Sequence, residues 1–403
     1  MKHTFFATLL TAFSFSLTFG QLSLNANLSY GTGYRNNVFN SPSTYLDDGE
    51  RLDADELIQS SLMHEIDGEL FISSSNKRFQ WDAGTAIWAQ KMMSAPDGDQ
   101  SRYALFFDLA YKKIKFWEFE NELDVNRTQK VGVNVLGNEL LQAFSYYALE
   151  DRLSATWDKY KNHESQLYVD FSHKRYDNRA NVESLTHTQW SIGYKAEQVF
   201  KKNKRKRKLS LDISYRNRNY SQWTNTQLLK DSVLESDVNP FLPFDSTFSY
   251  PTRVFWYHTS LLSYSHYFGK KHRLKPYVEY KKRTDLSDGD FGYKQLDLGL
   301  YTYLHYDKYY IYSKFGFSNR NYTDRLAERQ GGTPFPLLRY QYLRGKIKIE
   351  RKLSDYFSLY VSMEGANRIS NTTNELKRTR RSYINYTALA GISMELDKKI
   401  KKK

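Results

Sequence analysis

The chain has 403 residues, Lys+Arg 59 against Asp+Glu 45, a formal net charge of +14, and no cysteine. Without cysteine there is no disulfide scaffold, thiolate metal site, cysteine nucleophile or lipid-modified cysteine. Beyond residue 20 no apolar run reaches the length of about 18 residues that a membrane-spanning helix needs.

Met1-Lys2-His3 is a short basic start, Phe5 to Phe19 is mostly apolar, and Thr18-Phe19-Gly20 places small residues before a cut. This pattern reads as a secretory signal peptide over 1–20, cleaved near Gly20/Gln21. The rest, 21–403, shows no shift of composition and reads as a single domain. It repeats one unit: an alternating segment, a tight polar turn, a second alternating segment, a longer polar loop.

Period-two alternation marks a strand with two different faces. Phe119, Leu123 and Val125 alternate with Glu120, Glu122, Asp124 and Asn126. Leu167, Val169 and Phe171 do so with Tyr168, Asp170 and Ser172, and Leu209, Leu211 and Ile213 with Ser210, Asp212 and Ser214. Later come Leu296 to Leu304, Leu343 to Glu350, and Phe357 to Glu364. Two stretches are less regular: in 143–157 the best apolar face carries Asp151, and 256–267 has no clean face. Short turns are predicted at 73–77, 112–114, 158–163, 201–208, 269–272, 307–308 and 354–355. Long connections are predicted at 32–56, 131–141, 224–251, 324–336 and 371–380.

The alternation of short and long connections predicts an all-β fold: a transmembrane antiparallel up-and-down β-barrel of about 16 strands, within 14–18. A closed barrel satisfies every backbone group internally, and only alternate side chains need be apolar. That reconciles a mean hydropathy of −0.71 with a membrane-spanning chain. The abundant aromatics (33 Tyr, 25 Phe, 7 Trp) suit two interfacial girdles. Phe116-Trp117, Trp157, Trp223, Phe255-Trp256-Tyr257, Tyr267-Phe268, Tyr309-Tyr310, Tyr356-Phe357 and Tyr383 are assigned to them. The competing fold is a secreted soluble β-sandwich or solenoid, whose strands are usually shorter, with turn signals every 8 to 12 residues or so.

In the last strand Tyr386, Ala388, Ala390, Ile392, Met394 and Leu396 form one face. The run Leu389 to Leu396 resembles the C-terminal signal by which outer-membrane assembly machinery recognises barrel proteins; Gly391, Met394 and Leu396 match it. Leu389 stands where that signal usually has a polar residue, and the chain runs on through Asp397 to Lys403. The whole pattern resembles the porin-like outer-membrane β-barrels of Gram-negative bacteria. The resemblance implies an outer-membrane location, with lipid, lipopolysaccharide and the assembly machinery as partners, and the option of a homo-oligomer.

The non-apolar faces give an uneven charge map. An early arc carries Glu65, Asp67, Glu69, Asp82, Asp108, Glu118, Glu120, Glu122 and Asp124. A later arc carries Arg216, Arg218, Lys275, Lys281, Arg283, Lys314, Arg320, Arg344, Lys346 and Lys348. In a barrel of about 16 strands these arcs face each other across the lumen. An open lumen of this kind resembles a porin constriction and suits passive passage of small polar solutes; a lumen of paired charges instead fills the barrel as a plug does. Asp212, Glu279, Asp297 and Glu350 are acidic neighbours able to pair within the basic arc.

The basic runs 204–208 and 400–403 read as solvated turns near anionic headgroups, with no nucleic acid to meet after export; Lys377, Arg378, Arg380 and Arg381 fall outside, where two readings stay open: contact with lipopolysaccharide phosphates, or a merely solvated loop. No hydrolase or phosphate-loop motif is present, and the nine His show no ligand spacing, so no catalytic residue, cofactor or metal is assigned. Two other functions stay open. One is a non-transporting barrel acting through its loops as an anchor, assembly partner or adhesion surface. The other is an outer-membrane enzyme with a carboxylate pair or a Ser/His pair near the rim. The loop 224–251, with Asn239-Pro240-Phe241-Leu242-Pro243-Phe244, is a candidate to fold inward or bind a partner, and 32–56, with a more acidic second half, is the other long candidate.

Overall fold

The computed structural model describes residues 21–42, 44–47, 50–76, 78–114, 116–133, 139–143, 145–177, 185–202, 205–220, 253–269, 271–287, 291–327, 336–372 and 382–400. The signal segment, Trp223, the loop 224–251 and the cluster 377–381 lie outside them.

The wall strands are β1 (Gln21–Arg35), β2 (Ser61–Ser75), β3 (Phe79–Met92), β4 (Gln100–Ile114), β5 (Trp117–Val133), β6 (Tyr146–Tyr160), β7 (His163–Tyr176) and β8 (His187–Lys202). They continue as β9 (Arg205–Tyr220), β10 (Val254–Phe268), β11 (His272–Asp285), β12 (Tyr293–Tyr306), β13 (Tyr309–Leu326), β14 (Leu337–Lys352), β15 (Phe357–Ser370) and β16 (Tyr383–Ile400). Each pairs antiparallel with its chain neighbour, and β16 closes on β1 from Leu22↔Ile400 to Arg35↔Thr387. The result is a closed antiparallel barrel of 16 strands. A short strand, Glu139–Ala143, extends β5 beyond the wall, and a small hairpin (Thr44–Asp47 with Glu50–Asp53) leads into the short helix Ala54–Leu57.

Tight turns join β2–β3, β4–β5, β6–β7, β8–β9, β10–β11, β12–β13 and β14–β15, all at the end holding Gln21 and Ile400. The other end carries the longer connections. Closure leaves no unpaired edge, which is what hydrocarbon demands of a sheet.

The barrel is apolar on its convex side. Tyr30 and Ile66, Leu105 and Val125, Leu298 and Phe317, Leu300 and Phe315, and Ile347 and Met363 occupy that face in direct register. Most of the large ones among them are exposed, Leu105 at 57% and Met363 at 60%. In water such a surface would be unfavourable at roughly 25 cal/mol per Å²; against lipid it is the solvated face. No helix among the described residues is long and apolar enough to span a membrane, which says nothing about strands.

The aromatic girdle differs from the sequence reading. Trp117, Trp256, Phe268, Tyr309, Tyr356 and Phe357 are exposed. Phe255, Tyr257 and Tyr383 instead share the concave face with lumen residues, and Phe255 is only 1% exposed. The reason is parity: adjacent residues in a strand point to opposite faces, so Phe255-Trp256-Tyr257 cannot all face lipid.

Candidate functional site: the charged lumen

The concave face is fixed by register and by a cavity of about 500 Å³ whose lining runs from Phe106 and Asp108 on β4 to Arg216 and Arg218 on β9. Glu65, Asp67 and Glu69 lie opposite Gly31, Ser29 and Asn27 of β1 on this face. Asp82, Asp108, Glu122 and Arg152 form one row across β3, β4, β5 and β6. Glu118, Glu120, Glu122 and Asp124 form one column along β5. Like charges directly opposite repel, and two arginines border the cluster. Arg102 Nη2 reaches Asp124 Oδ1 at 3.3 Å, and Arg152 Nε donates to Asp170 Oδ1 at 2.5 Å.

The basic positions share the same concave face: Arg216 and Arg218 on β9, Lys275, Lys281 and Arg283 on β11, Lys314 and Arg320 on β13, Arg344, Lys346 and Lys348 on β14. Strands β2–β5 and β9–β14 are on opposite sides of a closed ring with this strand order. The cavity sits where the two signs meet, with Asp108, Glu122, Asp124 and Glu150 on one flank and Lys174, Arg216 and Arg218 on the other.

The lysines and arginines are held differently. Lys281 Nζ pairs with Glu279 Oε2 at 2.8 Å and Asp297 Oδ2 at 3.2 Å. Lys346 pairs with Glu364 at 3.2 Å and Lys348 with Glu350 at 3.1 Å. The arginines rest on neutral groups. Arg218 donates from Nε and Nη2 to Gln189 Oε1 (3.0 and 2.9 Å), Arg320 Nε to Gln295 Oε1 (2.7 Å), and Arg283 Nε to the Phe291 carbonyl (2.6 Å).

Aromatic rings separate them. Arg218 stacks over Tyr257 at 5.2 Å; Arg283 lies between Phe255 and Tyr293 at 4.8 and 4.4 Å; Arg320 lies between Tyr293 and Tyr342 at 4.4 and 5.6 Å. Arg368 stacks over Tyr340 at 4.1 Å and meets Tyr383 at 5.9 Å. Arg368 extends the polar face of Ser358, Tyr360, Ser362 and Glu364 by two steps of the same parity, which is the signal that finds it.

A second feature lies in the long connection 32–56. Residues 36–42, at the long-loop end, fold into the barrel mouth. Val38 packs with the inward-facing Met63, Met92, Tyr360 and Leu389, all buried. Asn37 holds the bend: its Nδ2 donates to the Ser41 carbonyl (2.9 Å) and its Oδ1 accepts from Ser41 N (2.8 Å). Asn385 Nδ2 donates to Asn40 Oδ1, tying the segment to β16.

A Ser/His pair is present: Ser260 Oγ and His258 Nε2 are 2.9 Å apart on β10. It stands on the convex face in register with Ile213 and Tyr215. His258 Nδ1 has no hydrogen-bond partner, whereas a nucleophile's base needs a third group to orient it. Among the described residues no group of three His, Cys, Asp or Glu is arranged to hold a metal ion.

No known family model matches the chain, and no curated protein does. Solved structures similar in shape include Acinetobacter baumannii OccAB1, with 9% identity, TM-score 0.47 and coverage of 94% of this chain and 97% of that one. The outer membrane protein opdK from Pseudomonas aeruginosa has 7% identity, TM-score 0.45 and coverage of 93% and 99%. CdiB from Acinetobacter baumannii has 9% identity and TM-score 0.46; 93% of this chain aligns with only 60% of that one. At such identity the likeness is one of architecture alone.

Proposed function

We propose that this barrel sits in the outer membrane of a Gram-negative bacterium and acts as a passive channel for small polar solutes. The carrying observation is the acidic arc of β2–β5 set across the lumen from the basic arc of β9–β14, with a cavity of about 500 Å³ along the wall from β4 to β9, where the two signs meet. A transverse field between such walls orders polar solutes and water, and low-dielectric walls strengthen it. The unmixed acidic column of β5 supports this reading, since a structural plug would intersperse the signs. Single-channel conductance of the purified protein in planar bilayers is the test. Discrete ohmic steps support the channel; a folded barrel that never conducts overturns it.

A second reading, a closed barrel acting through its surfaces, draws on the inward-folded segment 36–42. The same measurement separates the two. In either case the long-loop end faces outward. There the convex, exposed Lys282, Lys294 and Arg339 stand near one level, suited to lipopolysaccharide phosphates. Strand β16 is the handle for the assembly machinery.

A further inference from the structure

Four arginines, Arg218, Arg283, Arg320 and Arg368, stand on β9, β11, β13 and β15, every second strand of the basic half. The intervening strands supply Tyr257 with Phe255, Tyr293, Tyr340 with Tyr342, and Tyr383. All lie close to the long-loop end, so they form a belt of alternating guanidinium and ring around half the lumen entrance. On β1, the next alternate strand, Arg35 continues it.

The belt keeps its charge. Among the described residues no ion pair reaches Arg218, Arg283, Arg320 or Arg368, in contrast to Lys281, Lys346 and Lys348. Ring faces and neutral acceptors fix the guanidinium planes without neutralising them. Asp285, opposite Phe255, accepts from Ser287 N through Oδ1. Moreover, the buried Nε–H groups of Arg35 and Arg368 have no acceptor. A buried donor without a partner is costly and marks a place where an acceptor is wanted.

We infer that this belt is a binding site for small solutes bearing a carboxylate or phosphate group. A guanidinium stacked on a ring presents its N–H edge, the geometry that holds oxyanions through two parallel hydrogen bonds. Successive arginines sit two strand spacings apart, about 9.6 Å, so an anion can pass from one to the next along the wall. The site rests on the channel reading only for how the solute arrives.

The test uses the mature chain folded in detergent, with folding checked by heat-modifiable electrophoretic mobility. Sodium succinate, sodium phosphate and neutral glucose are titrated calorimetrically. Saturable binding of succinate or phosphate but not glucose is expected, and the stronger of the two identifies the preferred group. Arg320→Gln/Arg368→Gln should weaken it by at least about tenfold. Arg320→Lys/Arg368→Lys, which keeps the charge and loses the planar fork, should fall between. Lys308→Gln, in the β12–β13 turn at the opposite end of the barrel, should bind as the parent does. No saturable oxyanion binding by the folded barrel, or an equal loss in Lys308→Gln, overturns the site. A barrel that conducts without binding also overturns it. One that binds without conducting overturns the channel reading instead and leaves the site standing.

Discussion

Asn121 on β5 donates from Nδ2 to Asp151 Oδ1 on β6 at 2.6 Å, and both side chains stand on the convex face of the wall. Around them Leu123, Leu149, Leu153 and Phe171 face the same way. Lipid offers a carboxylate no other partner, so the amide is what keeps Asp151 tolerable midway along its strand. Asn121→Ala should destabilise the barrel by about 1–3 kcal/mol. Replacing both as Asn121→Leu/Asp151→Leu should restore the parent stability or exceed it, because no polar group is then left unmatched. Urea titration of the barrel in lipid vesicles measures both; a double variant as weak as the single one would refute the account.

The same pair shows what the sequence made legible. Asp151 marred the apolar face of 143–157 because its partner lies 30 positions earlier, on a neighbouring strand that only the fold brings alongside. The 16-strand barrel followed from period-two alternation together with the alternation of short and long connections, both of which are local. The connections at 93–99, 177–186 and 286–292 were not singled out. The Arg–Tyr belt needed register across many strands, and the inward fold of 36–42 needed Met63, Met92 and Leu389 to be seen together. Those relations are non-local, and alternation alone does not encode them.

Tyr168 illustrates packing inside the lumen. It lies opposite Gly193, crosses that residue, and donates from its hydroxyl to Asp212 Oδ1 on β9 at 2.7 Å. A methyl group at Gly193 would collide with the Tyr168 ring. Gly193→Ala should therefore cost about 1–3 kcal/mol by overpacking. Pairing it with Tyr168→Phe would leave the clash, while Tyr168→Ser would relieve it. Vesicle unfolding midpoints distinguish these outcomes: if Gly193→Ala unfolds as the parent does, the ring is not held there.

The acidic column predicts a selectivity change opposite in sign to that expected at the arginine belt. Glu120→Gln/Glu122→Gln removes two negative charges from one face of β5. Reversal potentials under a potassium chloride gradient should move toward anion preference. The shift should shrink as salt approaches 1 M, where the screening length falls to about 3 Å. A shift that persists undiminished at high salt would show that the carboxylates act by shape, not charge.

The mouth segment yields the last prediction. Asn37 is fully buried and donates to the Ser41 and Ile384 carbonyls at 2.9 and 3.3 Å, while its oxygen accepts from Ser41 N. Asn37→Ala removes all three contacts. The buried apolar patch of Val38 on Met63, Met92 and Leu389 then holds the segment with the hydrogen bonds from Val38 N to the Gln59 carbonyl and from Asn385 to Asn40. Val38→Asp on top of Asn37→Ala places a charge in that patch and should expel the segment from the lumen. Single-channel conductance should rise in steps, modestly for the single variant and further for the double, with wall stability changed little because β1 and β2 pair along their full length. Unaltered conductance in the double variant would place segment 36–42 off the solute path and put the narrowest point at the Arg–Tyr belt or the β5 column.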